Sequence, residues 1–457
     1  MNLQQTLTRR TFLKRATATA AAITVPYHFA SQSACAAGRT EKPRYALIGV
    51  GGNGSRTFPT ASQYVDPVAL CDVDANRLDE MNQKLAGGKL ATYADYREVL
   101  SRDDIDVVQI STPDHWHAKI LVEAMLAGKD AYCEKPLTLT IDEGKLIRKI
   151  QRQTGRVVQV GTQQRSSFDK FNKALAIIAE GRLGKLRRVT VGIDAGAWSP
   201  EIPLAEVPAG FDWERWLGPG PKMEYRHMVQ QRAKGPKVYT NGHTQFRWWY
   251  EHSGGKLTDW GAHHIDIAML GIAAAGQSND PVSVDGTSKH LVDFKDGIPQ
   301  QDNLYNTATA FDLHVAFAGD DVDMNIRSDV DNGILFEGEH GRIFVNRGKV
   351  VGKPVEDLEA NPLAEDAISK IYRGMPMVDN NRGAHWANLL HCIDNDTLPI
   401  SDVHSHMKML NVCHLAGICC RLGRKVNWDQ ATETIVGDEL AASMMKRPYR
   451  EGYEIEM

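Results

Sequence analysis

The sequence predicts an α/β protein with two domains: an N-terminal, doubly wound parallel sheet and a C-terminal α/β domain with an open, mostly antiparallel sheet. Two patterns carry this prediction. After Thr40, short apolar, β-rich runs alternate with helix-like stretches, as expected for strands that are buried on both faces and joined by helices. From Leu304 to Val345, apolar and polar residues alternate, which is typical of antiparallel strands with one solvated face.

The first domain is predicted to span residues 40–160. Its predicted strands are Tyr45–Gly49, Pro67–Asp72, Asp106–Ile110, Asp130–Cys133 and Val157–Val160, with helices near Ala75–Leu85, His117–Ala127 and Thr140–Gln153. A sheet of this kind binds ligands at the carboxyl ends of its strands. The loops after these strands are therefore the first place to look for chemistry.

The composition excludes several classes of protein. The chain has 457 residues, of which 42% are hydrophobic and 24% are charged, so it is long enough for two large cores. Its seven cysteines include no C-x-x-C pair, which argues against a disulfide framework. A formal net charge of -4 provides no basic surface for nucleic acid.

Residues 1–36 predict a twin-arginine signal peptide and export to the periplasm or the medium. The order is T-R-R-T-F-L-K at residues 8–14, an apolar run over residues 16–30, and the small residues of a cleavage site at 34–36. The apolar run is shorter than the roughly 20 residues that span a bilayer, so no membrane integration is expected. A surface amphipathic helix is the alternative. Gln32 stands where a lipid-attachment motif requires Leu, which argues against a lipoprotein anchored through Cys35.

Removing this segment changes the charge of the chain. Residues 1–36 hold four basic and no acidic side chains, so the remaining 49 basic and 57 acidic residues give a net charge of -8. We therefore expect neither nucleic acid nor an anionic membrane as a partner.

The turn after the first strand reads G-V-G-G-N-G at residues 49–54, which is G-x-G-x-x-G between a strand and a helix. Such glycines allow a tight turn, close approach of the backbone to a pyrophosphate, and helix–strand packing. Asp72 ends the second strand, where a carboxylate accepts hydrogen bonds from an adenosine ribose and repels a 2′-phosphate. These features predict NAD as the cofactor, although Arg77 leaves NADP possible. The predicted cofactor-binding residues here are Gly49, Gly51, Gly52, Asn53, Gly54 and Asp72.

Two further loops follow predicted strands, at residues 111–117 and 133–136. They add predicted cofactor-binding residues: Thr112, Pro113, His115, His117, Glu134 and Lys135. Lys135 would face the nicotinamide as a general acid or base, whereas a solvated ion pair with Glu134 is the alternative. Both histidines are better explained as helix-start or ribose-contacting residues than as catalytic ones.

Together these motifs resemble the Gfo/Idh/MocA family of oxidoreductases, named for glucose-fructose oxidoreductase and inositol dehydrogenase. The sequence contains S-T-P-D-H-W-H-A at 111–118, E-K-P at 134–136 and D-W-G-A-H-H-I-D at 259–266, which matches the family pattern D-x-G-x-H-x-x-D. The resemblance implies a Rossmann-like first domain, a second domain that builds dimers or tetramers, and oxidation or reduction of a sugar or cyclitol carbon with NAD(P). It also implies that Lys135, Asp259 and His263 are the catalytic residues.

The spacing of Asp259 and His263 gives these residues a physical arrangement. On one helix, residues four apart share a face, so the carboxylate would orient the imidazole. His263 or Lys135 would then take the hydroxyl proton while hydride leaves the same carbon. A metal site built from Asp259, His263 and His243 is the alternative, but no fixed ligand spacing favours it and no metal is expected.

The second domain is predicted to span residues 161–380 and a helical segment residues 381–457, and the family resemblance implies that this segment packs back on the first domain. The stretch from Ala195 to Tyr250 is rich in tryptophan. Aromatic faces stack on sugar rings, but they also fill cores and oligomer interfaces. The predicted substrate-binding residues are Gln163, Arg165, Trp198, Arg247, Trp248 and His264.

The sequence therefore predicts an exported, NAD-dependent oxidoreductase that acts on a carbohydrate and forms a homodimer or homotetramer. Two alternatives remain. One is an NAD-dependent glycosidase that acts through a transient keto-sugar and regenerates its cofactor in each cycle. The other is a sugar-binding protein that holds the cofactor without turnover, which the presence of all three catalytic residues disfavours.

Overall fold

A computed structural model describes residues 41–319, 322–375, 377 and 381–455. The predicted signal segment at 1–36 lies outside the described residues. Two sheets organise the rest of the chain, and each has the strand directions predicted from the sequence. No helix of the described residues is long and apolar enough to cross a membrane.

The first sheet has six parallel strands in the order β3-β2-β1-β4-β5-β6. They are β1 (Arg44–Ile48), β2 (Asp66–Cys71), β3 (Ala91–Tyr93), β4 (Val107–Ile110), β5 (Asp130–Cys133) and β6 (Val158–Val160). Strands β1, β4 and β5 are buried along nearly their whole length because helices cover both faces. From β1 the chain adds β2 and β3 on one side and then β4, β5 and β6 on the other side. This switch in strand order between β1 and β4 creates a crevice at their carboxyl ends.

The helices of this domain begin and end at recognisable signals. They are α1 (Gly52–Ala61), α2 (Ala75–Ala86), α3 (Tyr96–Leu100), α4 (Asp114–Leu126) and α5 (Ile141–Thr154). The Asp74 side chain caps α2 by accepting from the Arg77 N–H, and Gly87 ends it in the left-handed conformation. Pro59 lies inside α1, which ends two residues later.

The second sheet has nine strands in the order β17-β16-β15-β7-β14-β13-β10-β18-β19. Every neighbouring pair is antiparallel except β14 and β7. The nine strands are β7 (Leu186–Gly192), β10 (Pro281–Lys289), β13 (Ala310–Phe317), β14 (Asp323–Arg327), β15 (Gly333–Gly338), β16 (Gly341–Val345), β17 (Val350–Val351), β18 (Val426–Asp429) and β19 (Thr434–Val436). Two small hairpins lie outside this sheet: β8 (His227–Gln230) with β9 (Lys237–Thr240), and β11 (Phe294–Lys295) with β12 (Ile298–Pro299).

Helices cover one face of this sheet, and α9 and α13 pack against it and against each other. The remaining α-helices are α6 (Lys173–Ala179), α7 (Trp213–Leu217), α8 (Lys256–Asp259), α9 (Gly261–Ala274), α10 (Lys353–Glu356), α11 (Ala367–Ile371), α12 (Asn381–Asn395), α13 (Val403–Leu422) and α14 (Glu439–Ser443). Short 3₁₀ or π turns occupy Gln163–Ser166, Phe168–Asn172, His243–Trp248 and Asp357–Glu359.

The C-terminal segment contributes to both domains. In α12, Trp386 stacks on Tyr132 of β5 with ring centroids 4.8 Å apart, and His385 Nε2 lies 2.8 Å from the Val160 carbonyl oxygen. Beyond α13 the chain is not purely helical, in contrast to the prediction for residues 381–457, because β18 and β19 extend the second sheet. Short strands of three or four residues at a sheet edge leave little periodic signal in a sequence.

The six described cysteines are free and buried. Burial raises the pKa of the Cys133 thiol well above its usual value. Cys133 is therefore a packed strand residue and not a reactive thiol.

Candidate active site

A cavity of about 640 Å³ runs along the carboxyl ends of the first sheet and reaches the second domain. One end is lined by the glycine-rich turn and Asp72, and the other by Lys135, Asp259 and His263. The fold therefore brings the predicted nucleotide-binding and catalytic residues, which lie far apart in the sequence, to one continuous site.

Glycine is favoured at different positions of the turn for different structural reasons. Gly49 has φ +90°, and a Cβ there would lie 2.6 Å from the Ser111 carbonyl carbon. A Cβ on Gly54 would lie 2.0 Å from the Gly49 carbonyl oxygen, so α1 can pack on β1 only without a side chain there. By contrast, Gly51 and Gly52 face the cavity and leave the first turn of α1 open. This surface fits a pyrophosphate against the free N–H groups of a helix.

Asp72 follows β2 and is held by the backbone. Its Oδ2 accepts from the Val50 N–H at 2.9 Å, and its Oδ1 accepts from the Asp74 N–H at 3.0 Å. Burial raises the pKa of Asp72, and these two hydrogen bonds oppose that rise. The carboxylate is thus fixed at the cavity wall, where its remaining lone pairs can accept from ribose hydroxyls.

Lys135 and Asp259 form an ion pair between the two domains. The Lys135 ammonium donates to the Asp259 carboxylate and, at 3.0 Å, to the Asp259 carbonyl oxygen. Burial alone would raise the pKa of Asp259, but Lys135 and Arg247 lower it to about 2. Lys135 is therefore a hydrogen-bond donor to Asp259 at the cavity surface, and not a solvated surface lysine in an ion pair with Glu134.

Asp259 does not hold His263, in contrast to the expectation from their spacing. Helix α8 ends at Asp259 and α9 begins at Gly261, so the two residues do not lie on one regular helix. Burial, with Lys135 and Arg347 nearby, lowers the pKa of His263 well below its usual value. Its Nδ1 is buried and has no hydrogen-bond partner within the described part of the chain. His263 is therefore a neutral imidazole.

His117 fastens the two loops that surround this end of the cavity. Its Nδ1 lies 2.7 Å from the Pro136 carbonyl oxygen and its Nε2 lies 2.9 Å from the Thr112 carbonyl oxygen. His117 thus acts on the site by positioning Thr112 and Pro136.

Two buried polar atoms in these loops lack a hydrogen-bond partner that the amide group of a nicotinamide ring would supply. Thr112 Oγ1 and Glu134 Oε1 have no hydrogen-bond partner among residues 41–455 as described. Burial raises the pKa of Glu134, and Lys135 opposes this rise. Buried polar atoms without partners are rare in folded proteins. Together with the open face at Gly51 and Gly52, they show that the cavity suits a nicotinamide dinucleotide.

Of the predicted substrate-binding residues, Gln163 and Arg247 line the cavity. Gln163 donates to the Tyr132 hydroxyl at 2.6 Å, and Arg247 Nε lies 3.9 Å from Asp259 Oδ2. Both are close enough to the catalytic end to contact a substrate.

The other predicted substrate-binding residues do not line the cavity. Arg165 forms a buried ion pair with Asp266 and donates to the Ile400 carbonyl oxygen at 2.8 Å. His264 is buried, its Nε2 lies 2.8 Å from Asn332 Oδ1, and burial lowers its pKa to about 4. Both side chains are therefore held by bonds to other parts of the protein. Their positions in the sequence, next to functional motifs, did not reveal these bonds.

The tryptophans also differ from the prediction. Trp198 is 54% exposed, and Trp248 donates to Gln245 Oε1 at 2.8 Å within a small aromatic cluster. Neither lines the cavity.

Two histidines named in the sequence analysis are held by other contacts. His115, predicted to contact the cofactor, is fully buried behind the cavity, with Nε2 3.0 Å from the Trp216 carbonyl oxygen. His243 pairs with Asp74 at 3.0 Å and not with Asp259 and His263, so the alternative metal site does not assemble. The described residues contain no cluster of three potential metal ligands.

Sequence reasoning missed several residues that line the cavity. Phe211, Trp216, His243 and Phe246 line the end beside Asp72, and Arg347 lies near Asp259. The density of aromatic residues between 195 and 250 was a signal, but it did not show which ligand the rings face.

Comparison with solved structures shows the same fold in sugar-processing enzymes. A levoglucosan dehydrogenase with NADH and levoglucosan aligns with a TM-score of 0.59 at 17% identity, covering 85% of this chain and 99% of that one. An aldose-aldose oxidoreductase from Caulobacter crescentus with glycerol aligns with a TM-score of 0.58 at 18% identity, covering 85% and 100%. At this identity the likeness concerns the fold.

Curated relatives match over a shorter region. A glycosyl hydrolase family 109 protein of Shewanella pealeana is 40% identical over 109 residues, which is 22% of this chain and 24% of that protein. An α-N-acetylgalactosaminidase of Shewanella oneidensis is 39% identical over 115 residues, 22% of this chain and 25% of that protein. The chain thus aligns with about a quarter of the length of these relatives.

Models of protein families cover both domains. Residues 43–162 match the Gfo/Idh/MocA model of an oxidoreductase family with an NAD-binding Rossmann fold. Residues 172–347 match the model of that family's C-terminal α/β domain. With its glycine-rich turn, its Lys135–Asp259 pair and both domains matched, the chain belongs to the Gfo/Idh/MocA family of oxidoreductases and its first domain binds NAD.

Proposed function

We propose that the protein oxidises or reduces a carbinol carbon of a sugar, a sugar derivative or a cyclitol. The observation that carries the proposal is the arrangement of Lys135, Asp259 and His263 at one end of the NAD-binding cavity. An ammonium donor and a neutral imidazole meet there in a largely buried site, which is what the oxidation of an alcohol requires of a protein.

The residues divide the proton chemistry between them. The nicotinamide, when bound, supplies or accepts the hydride. His263 lines the cavity as a neutral imidazole and is assigned as the group that accepts the proton of the substrate hydroxyl. The Lys135 ammonium donates a hydrogen bond to the oxygen on which charge develops, and Asp259 holds that ammonium in place. Gln163 and Arg247 lie beside this centre and would orient the other hydroxyl groups.

A second candidate is redox-neutral cleavage of a glycoside. The partial matches to glycosyl hydrolase family 109 proteins favour it. In this reaction a ring hydroxyl is oxidised, the aglycone is eliminated, and the product is reduced again, so the cofactor ends as it began. The same three residues would serve the oxidation and the reduction.

One experiment separates the two candidates. Purified protein is incubated with excess NAD⁺ and a panel of sugars, cyclitols and aryl glycosides while NADH absorbance and aglycone release are followed together, with Lys135→Ala as the blank. NADH formed in proportion to substrate without aglycone release supports the first candidate. Release without net NADH supports the second. Neither signal with any compound contradicts both and points to a binding protein.

We also propose export through the twin-arginine route and assembly into a homodimer or homotetramer. The T-R-R-T-F-L-K segment supports export, and a cofactor carried inside a folded protein suits that route. Residues 1–36 fused to a fluorescent protein should send it to the periplasm, and replacing Arg9 and Arg10 by lysine should retain it in the cytoplasm. Light scattering on the mature protein would give its oligomeric state.

A further inference from the structure

Residues 204–250, which we call the strap, leave the second domain and cross the first. The strap contains α7, the β8–β9 hairpin and the 3₁₀ turn at His243–Trp248. We propose that the strap binds the adenosine half of the dinucleotide and bridges the mouth of its pocket. The inference rests on NAD binding by the first domain and is independent of the reaction proposed above.

One side of the strap is joined to the segment that follows β2. Three hydrogen bonds link residues 209–212 to residues 73–76: Asp212 N to Val73 O at 3.0 Å, Ala75 N to Gly210 O at 2.9 Å, and Asn76 Nδ2 to Ala209 O at 2.7 Å. Two of these bonds are between backbone groups, so they fix the path of the chain whatever its side chains are.

The other side of the strap is joined to the start of α4. The Trp216 carbonyl oxygen accepts from Trp116 Nε1 at 2.9 Å and lies 3.0 Å from His115 Nε2. The C-terminal tail reinforces this side, because Arg450 donates from Nε to the Gly218 carbonyl oxygen at 2.7 Å and from its guanidinium to the Glu214 carbonyl oxygen at 2.9 Å.

These two attachments lie on opposite sides of the glycine-rich turn. Strand β1 stands between β2 and β4 in the sheet, and the turn follows β1. A segment fixed both after β2 and at α4, which follows β4, therefore passes over the end of β1. An adenosine bound beside Asp72 would lie under it.

The surface that the strap presents to this pocket is aromatic. Phe211, Trp216, His243 and Phe246 line the cavity together with Asp72 and Arg77. The His243 ring stacks on Phe211 with centroids 4.4 Å apart and is held by Asp74. Planar rings that are fixed in position offer a stacking surface for a planar base.

The backbone conformation of His243 indicates that the position of its ring has a functional role. Its φ is +44°, in the left-handed region that few residues other than glycine adopt. Such conformations cost free energy and persist where the surrounding structure holds them, commonly at ligand sites. At His243 this conformation places the imidazole between Asp74 and the adenosine pocket.

Cofactor fragments test the proposal without any substrate. After charcoal treatment removes bound nucleotide, calorimetry measures the affinities for ADP-ribose, which carries the adenosine, and for nicotinamide mononucleotide, which does not. Phe211→Leu, which stays apolar but cannot stack, should weaken ADP-ribose about tenfold and leave nicotinamide mononucleotide within about twofold. Trp198→Leu, at an exposed tryptophan outside the strap, is the matched control. Unchanged ADP-ribose affinity in Phe211→Leu would overturn the proposal.

A second variant tests whether the strap bridges the mouth of the pocket. Its result does not depend on whether the Phe211→Leu variant folds. Arg450→Ala removes the bonds from the tail to Gly218 and Glu214 but no residue that lines the pocket. Stopped-flow fluorescence should show NADH leaving this variant several times faster than the unsubstituted protein. An unchanged dissociation rate in Arg450→Ala would overturn the bridge. Both measurements follow binding alone, so they stand whether or not the sugar chemistry is confirmed.

Discussion

Lys135 of the first domain donates to both the carboxylate and the carbonyl oxygen of Asp259 in the second. The proposed catalytic centre is therefore assembled only when the two domains pack in this arrangement. Burial, with Lys135 and Arg347 nearby, keeps the His263 imidazole beside this pair neutral.

Replacing Lys135 by alanine should lower turnover by about 10²–10⁴-fold and leave NAD bound. The variant loses the donor to the reacting oxygen, whereas the glycine-rich turn and Asp72 still hold the nucleotide. Turnover is measured by NADH absorbance and retained nucleotide by chromatography of the denatured protein. Turnover within tenfold of the unsubstituted protein would exclude Lys135 from the mechanism.

The Asp259 ion pair should make stability depend on pH at acid values. The pKa of Asp259 is lowered to about 2 in the folded protein, below the roughly 3.9 of an unfolded chain. A group with a lowered folded pKa stabilises the protein above the unfolded value, and this contribution is lost as pH falls towards the folded value.

The matched variant is Asp259→Asn. The difference in unfolding free energy between it and the unsubstituted protein should be on the order of 2 kcal/mol larger at pH 6 than near pH 2. Urea titrations monitored by circular dichroism give this difference. A difference that is constant over the range would show that Asp259 titrates normally.

His263 should show no loss of base function between pH 7 and 6. Burial and the neighbouring cations lower its pKa well below the usual value, so the imidazole stays neutral where an exposed histidine becomes charged. The acidic limb of the kcat/KM profile should therefore lie below pH 6, and His263→Gln should lower kcat by about 10²–10⁴-fold at pH 6 and above, where the imidazole is neutral. An acidic limb centred near 6.5 would contradict this assignment.

Local patterns were enough to predict the first sheet, the glycine-rich turn and Asp72. Each depends on residues close together in the chain, and the alternation of buried strands with amphipathic helices is a strong signal. The positions of Arg165 and Trp198 could not be predicted in this way. Whether an arginine faces a cavity or a buried aspartate depends on residues about a hundred positions away, and the path of residues 195–250 depends on attachments to the other domain.

Spacing predicted that Asp259 and His263 lie near each other but not what Asp259 binds. The i, i+4 argument assumes one regular helix, and the break between α8 and α9 invalidates it. The pairing of Asp259 with Lys135 joins residues 124 positions apart, a distance at which a single sequence carries no direct information.

Arg165 should be needed for stability and not for substrate recognition. Its side chain and that of Asp266 are 3% and 1% exposed and form an ion pair. Replacing Arg165 by methionine leaves Asp266 as an uncompensated buried charge, which costs about 3–5 kcal/mol. The double variant Arg165→Met, Asp266→Leu removes both charges and should recover much of that loss. Chemical denaturation measures both effects, and the KM of the double variant should stay near that of the unsubstituted protein. An Arg165→Met variant with unchanged stability and a raised KM would instead return Arg165 to the substrate site.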